Sequence, residues 1–349
     1  MAWKAENIYS RNHGLPVLAK PDILVAGGGA AGVAAATTAG KHGAKVLLLE
    51  RYGFCGGNAV AGLSGTLCGM YLASDNYNSP PEQVVYGFAN TFFQAMKQCD
   101  GVTPPQRYGK TWTVTHDPHK WRETAEALLL SEDVDILYHS LIVGTIREGN
   151  EILGVVIAGK SGLAAIEASI IIDATGDADI LHQAGLEYTV GDNGFVQNPT
   201  MIFRLGGVDI KRFLAYWGPD TICSPEVSEM IISAKDTGKY NLIRSKIWLF
   251  PTPRPNELLC NATRVMGRDG RDLIADRTED LSEAEISGRM QVRDYARFLA
   301  DFIPGCKTSF VNDTGVQAGI RQSRSALGVE RLSNEDVMAR RKRRDGIAR

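Results

Sequence analysis

The sequence predicts an α/β protein: a parallel crossover sheet carrying an antiparallel meander, with a mixed, mainly antiparallel β region inserted. Three observations point there. "DILVAGGGAAGVAAATTAGKHGAKVLLLE" (22–50) reads as strand, Gly turn, small-residue helix and strand. Between 134 and 174, apolar runs are separated by "REGN" and "GKSG", which carry turn chemistry. From 186 to 280, short strand-like runs precede a long helical stretch.

The bulk numbers suit such a fold. With 349 residues and 44% hydrophobic content the chain can bury a core and form two or so domains. A formal net charge of −2 favours neither nucleic acid nor an anionic membrane as a partner. The leader "MAWKAENIYSRNHGLPVLAKPD" has no apolar signal-peptide core, and the weakly polar run 23–40 is too Gly-rich and short for a bilayer span. Six cysteines show no C-x-x-C spacing, so a metal or iron–sulfur site is not expected, and reduced thiols in a cytoplasm are.

Taken in order, "ILVA" and "VLLLE" are short, apolar strands of the kind buried on both faces. The Ala-rich stretch 30–42 between them has helix length and propensity. Residues 58–110 are punctuated by Gly, Asn and Pro, with one helix expected over 82–98. A second is expected over 117–131, with Asp117 as N-cap and Pro118 at its first position. "VDILYHSLIVGTI", "EILGVVIA" and "LAAIEASIIIDAT" form the meander and return to the central sheet. "PTMIFRLGGV", "KIWLF" and "ELLCNATRV" are strands around a helix near 224–236. "SEAEISGRMQVRDYARFLADFI" is a long helix stopped at Pro304-Gly305, and "SNEDVMARRKRRDGIAR" starts a capped one. The expected division is 20–185 (with a helical excursion at 76–131), 186–285 inserted, and 286–349 returning to the first domain.

Gly27-x-Gly29-x-x-Gly32 falls between a strand and a helix, where its chemistry requires it. The first Gly permits a tight turn, the second lets main chain approach a pyrophosphate, and the third lets helix and strand pack. Free N–H groups and partial positive charge at the helix start suit phosphate, and Ala30 and Ala31 belong to that first turn. Glu50 ends the second strand at the spacing of a ribose-binding acid, with Arg51 beside it. A Gly-rich turn with a surface Glu is the bland reading. Together these define a Rossmann-type dinucleotide-binding unit.

The meander, and the Gly pair in "ERYGFCGGNA" directly after the acid, set the chain apart from nicotinamide-binding folds. From about residue 20 to its end the chain resembles the FAD-dependent oxidoreductases. These are glutathione-reductase-like flavoproteins related to the flavin-binding part of heterodisulfide reductase. The resemblance rests on "GGGAAGVAAATTAGKHGAKVLLLERYGFCGGNA", "IIDATGDADI", "NPTMIFRLGGVD" and "GIRQSRSALG". It implies FAD as cofactor, with Gly56, Gly57 and Asn58 along the pyrophosphate and ribityl chain and main chain at Ile142 meeting adenine. It also implies that the strand ending Ala174-Thr175-Gly176-Asp177 lies beside the first strand, near the cofactor.

Asp173, Asp177 and Asp179 invite a metal reading, but a calcium loop counted from Asp173 would need Gly and Glu where Ala178 and Ala184 stand. Asp177, at the start of the next helix, and Asp179 are expected instead to be structural caps, with cofactor contact open. Cys55 is either a reactive thiol or a small core filler. His116 and His119 could bind substrate or metal, or be polar surface, and "ARRKRR" (339–344) reads as a solvated face. Arg204, Asn261 and Arg264 lie in the expected substrate region. Arg321 and Arg324 return toward the flavin, where an Arg can clamp a carboxylate and stabilise ring charge, and these two are the expected catalytic residues. The family usually shows Arg-Glu-Ser-Arg-Arg there; this chain departs with Gln322 and Ser325.

The activity so implied is hydride transfer between a small-molecule substrate and the flavin. The rivals are an electron-transfer protein working with a partner in a larger complex, a flavin-dependent RNA-modifying enzyme, and a non-catalytic nucleotide-binding remnant. In the resembled family the chain continues past the position of Arg349, so a fragment or an incomplete flavin pocket is also expected.

Overall fold

The computed structural model describes residues 8–12, 14–192 and 195–344; residues 1–7 of the polar leader and 345–349 lie outside that range. Its centre is a parallel sheet in the order Ile170–Asp173, Ile23–Ala26, Val46–Leu49, Asp135–Leu137. Strand alternation divides the apolar residues between two cores. Val25 and Leu48 face the crossover helix Ala30–Lys41 and the helix Pro118–Leu130, packing with Val33, Ala36 and Trp121. Leu24, Ala26, Leu47 and Leu49 face the other way, onto Val155, Ile157 and Ile166. Each fully buried Leu contributes about 1.5–3 kcal/mol, so the middle strands, being apolar on both faces, can occupy no other place.

The second face is covered by the meander Leu141–Glu148, Glu151–Gly159 and Gly162–Glu167. "VDILYHSLIVGTI" is not one strand. It breaks at His139, whose φ of +54° turns the chain out of the parallel sheet. The leader, for which the sequence suggested no element, supplies short strands to both edges of the meander: Ile8–Tyr9 beside Leu141–Glu148, and Val17–Ala19 beside Gly162–Glu167. They pair through main chain and bury little, and at two and three residues they are too short to show a strand period.

The helix expected over 82–98 starts only at Phe88, because Gly87 adopts φ +67°. Asp117 caps the next helix as expected, accepting from the N–H groups of His119 (2.7 Å) and Lys120 (3.3 Å). An antiparallel sheet in the order Trp248–Pro251, Leu258–Asn261, Phe203–Gly206, Phe310–Thr314 packs Phe203, Leu205 and Cys260 against Tyr295, Phe298 and Leu299 of the long helix Thr278–Phe302. Among the described residues no helix is long and apolar enough to cross a membrane.

Candidate functional site

The carboxyl ends of the parallel strands open on a cavity of about 470 Å³. Gly27, Gly29, Ala30 and Ala31 form one wall, where the first N–H groups of the crossover helix have no intrahelical partner. Gly27 holds φ +101°, and a methyl there would meet Ala174 O at 2.5 Å. Gly32 is not in the wall; its missing side chain lets the helix rest on the Gly27 carbonyl. Gly56, Gly57 and Asn58 form the second wall, tied in by Gly56 N–H to Gly28 O (2.8 Å). Thr175, Gly176 and Asp177 form the third, beside the first strand as expected.

Glu50 and Arg51 line the same space, but Glu50 is not a surface acid. It is 6% exposed, and its two oxygens accept from the N–H groups of Gly28 (2.8 Å) and Tyr52 (2.9 Å). The carboxylate thus holds the Gly turn in shape, and each oxygen keeps a second lone pair. Ile142 lies in an adjoining recess of about 50 Å³ with Gly27, Glu50, Arg51, Ser140 and Thr175.

The fourth wall is the segment 317–325, far away in sequence. Asn58 Nδ2 donates to Ile320 O (2.7 Å), while Arg51 (2.6 Å) and the Tyr52 hydroxyl both donate to Gln317 Oε1. Tyr52 and Gln317 were not singled out from the sequence; only the position of Tyr52, two residues after Glu50, hinted at them. Arg321 and Arg324 both line this wall but differ in engagement. Arg324 is bound to Asp179 (2.9 Å) and to Asp177 O (3.1 Å), so its charge serves the strand-end loop rather than standing free for a substrate. Arg321 donates to Thr200 Oγ1 (3.1 Å).

Arg321 also lines a second cavity of about 590 Å³, with Arg244, Lys246 and Arg264; among the described residues no Asp or Glu lines it. Burial, with the nearby charges of Arg321 and Arg264, lowers the pKa of Arg244. Asn261 does not reach the cavity; its side-chain oxygen accepts from Arg244 at 3.3 Å. Asn198 contributes a buried side-chain oxygen with no donor.

Several expectations are corrected. Asp177 caps nothing: the residue before the short helix Asp179–Gln183 is Ala178, at φ +52° with no side-chain cap. Asp173 does that work from the strand end, accepting from the N–H groups of Thr175 (3.1 Å) and Ile180 (3.0 Å), because the left-handed turn carries Asp177 away. Arg204 is 1% exposed, pairs with Glu257 and donates to His116 O (2.9 Å), so it is an internal brace. Cys55 is buried, and desolvation pushes its thiol up to about 12, which leaves the filler role. His116 is buried and held down to about 4 by desolvation, whereas His119 lies at the surface 3.7 Å from Glu123. Arg341 and Arg343 of the basic run meet Asp336. Among the described residues no group of three or more His, Cys, Asp or Glu is placed to hold a metal.

A glycine cradle at a helix start, an acid on the neighbouring strand and a Gly pair opposite define a dinucleotide-binding α/β protein. The comparisons narrow this: the model of the FAD dependent oxidoreductases matches residues 22–349, and the chain belongs to that family. No curated protein matches it in sequence. Among solved structures it is similar to a geranylgeranyl bacteriochlorophyll reductase-like protein from Thermoplasma acidophilum, at 17% identity and TM-score 0.50, over 84% of this chain and 65% of that one. It is also similar to p-nitrophenol 4-monooxygenase PnpA from Pseudomonas putida, at 13% identity and TM-score 0.51, over 90% of this chain and 70% of that one. At such identities the likeness is one of fold, and the chain spans about 65% of the Thermoplasma protein's length.

FAD is the cofactor, and the residues present fit it. The nearest atom to a Cβ built at Gly29 is Gly57 Cα at 3.9 Å, and at Gly176 nothing lies within 4 Å. Both positions leave main chain open to the cavity, as a diphosphate requires.

Proposed function

We propose that the protein is an FAD-dependent oxidoreductase whose flavin exchanges a hydride with a small anionic molecule held in the arginine-lined cavity. The observation that carries this reading is Arg321, which lines both that cavity and the dinucleotide cavity. Amides at Gly29, Ala30 and Ala31 would take the pyrophosphate, the free lone pairs of Glu50 the ribose, and main chain at Ile142 the adenine. FAD, when bound, supplies two-electron chemistry at its ring. Arg321, Arg244 and Arg264 would fix a carboxylate by charge-assisted hydrogen bonds and discriminate against neutral molecules. Asn198 would accept from a hydroxyl or amino group on the same molecule, which makes hydroxy acids and amino acids the substrate classes to try first.

The test is an absorption spectrum of the purified protein with the released cofactor identified, followed by anaerobic addition of hydroxy acids, amino acids and their neutral amides. FAD should be released, and an anionic donor should bleach the bound chromophore. Arg321→Ala should keep FAD and raise KM for that donor about tenfold or more. A colourless protein, bleaching only by the neutral amides, or an unchanged KM would overturn the reading.

A further inference from the structure

A third cavity, of about 710 Å³, shares no residue with the two described above. It lies where the strand Gln106–Tyr108, the strand Trp248–Pro251 and the helix Ile210–Trp217 come together. Its lining is mostly apolar, with Trp112, Phe213, Trp217 and Leu249 among it, and among the described residues Arg107 is the only cation there.

Arg107 is 4% exposed, and its Nε and Nη1 have no acceptor. It is held between the rings of Tyr77 (4.4 Å) and Trp112 (5.2 Å). The other buried arginine among the described residues, Arg204, has the carboxylate of Glu257. Asp220 lines the same cavity but does not neutralise Arg107; its oxygens accept from Gly109 N–H at 3.2 Å and Ile222 N–H at 3.0 Å. A second orphan adjoins: the buried indole N–H of Trp217 has no acceptor, whereas that of Trp112 donates to Ser79 O at 3.1 Å. Buried donors go without partners rarely, and a buried guanidinium more rarely still.

We propose that this cavity is a binding site for a hydrophobic monocarboxylate, an aromatic or aliphatic acid, separate from the flavin and its arginine-lined neighbour. The carboxylate meets Arg107 and the Trp217 N–H, and the hydrocarbon body lies against Phe213, Leu249 and the tryptophan rings. One guanidinium with Asp220 close by suits a single negative charge and disfavours a dianion such as a phosphate.

The test uses the FAD-loaded protein with three probes, benzoate, indole-3-acetate and octanoate, each beside its neutral amide, read by thermal shift and calorimetry. At least one acid should bind and raise Tm, and its amide should bind about tenfold or more weakly. Arg107→Met should lose that binding by a similar factor, and by removing an unpaired buried charge should raise the Tm of the ligand-free protein. Trp217→Phe should weaken the acid by a few-fold with the ring kept, and Arg321→Ala should leave it unchanged. Binding by none of the acids, equal binding of acid and amide, or a lowered ligand-free Tm in Arg107→Met would overturn the proposal; the last would make Arg107 a structural clasp for Tyr77 and Trp112.

Discussion

The glycine cradle and the arginine-lined cavity meet at Arg321, yet they are built in opposite ways. The cradle recognises with main chain: glycines, helix-start amides, and one acid whose oxygens are spent largely on holding the turn. The neighbouring cavity is lined by side chains drawn from four separated segments, around 197–200, 243–246, 263–266 and 321. A main-chain site is fixed by backbone path, so its chemistry is general to a cofactor class. A side-chain site changes with single substitutions, so under the proposed function selectivity would reside there.

The sharpest way to break this contrast is Gly29→Leu. Gly29 has an ordinary φ of −68°, so a side chain there costs the free protein only about 1 kcal/mol as a poorer helix start, yet it fills the cradle. FAD affinity should fall on the order of a hundredfold with the fold intact, read by cofactor content and circular dichroism; retained FAD would show that phosphate does not rest on main chain here. Glu50→Ala comes next. It strands two N–H groups and should cost about 2–4 kcal/mol in urea unfolding, with FAD occupancy reduced. Unchanged occupancy would count against the ribose role. The smallest effect is expected at Cys55, whose desolvated thiol, raised to about 12, should resist iodoacetamide in the native protein at pH 8. Rapid labelling there would mean that the Gly turn opens.

The two regions also differ in how plainly the sequence announces them. The parallel crossover was legible because its strands are apolar on both faces, and the meander because its turns carry Gly149 and Gly162 at positive φ. Nearly every residue expected at the cofactor falls in one cavity, since a main-chain site has a contiguous signature. The arginine-lined cavity has none: Arg244 and Lys246 sit in an unremarkable polar loop and converge on Arg321 only in three dimensions. Arg107 drew no attention in the sequence, since nothing local says that Tyr77 and Trp112 enclose it. The exchange of roles between Asp173 and Asp177 was hidden by a left-handed residue at Ala178, which composition does not reveal. The leader strands escaped because main-chain pairing at an edge leaves no hydrophobic period.

Those two leader strands matter beyond the sheet they join. By occupying both flanks of the meander with segments of two and three residues, they leave too short a ladder for a foreign strand to extend. By that argument the leader gives the meander blunted edges.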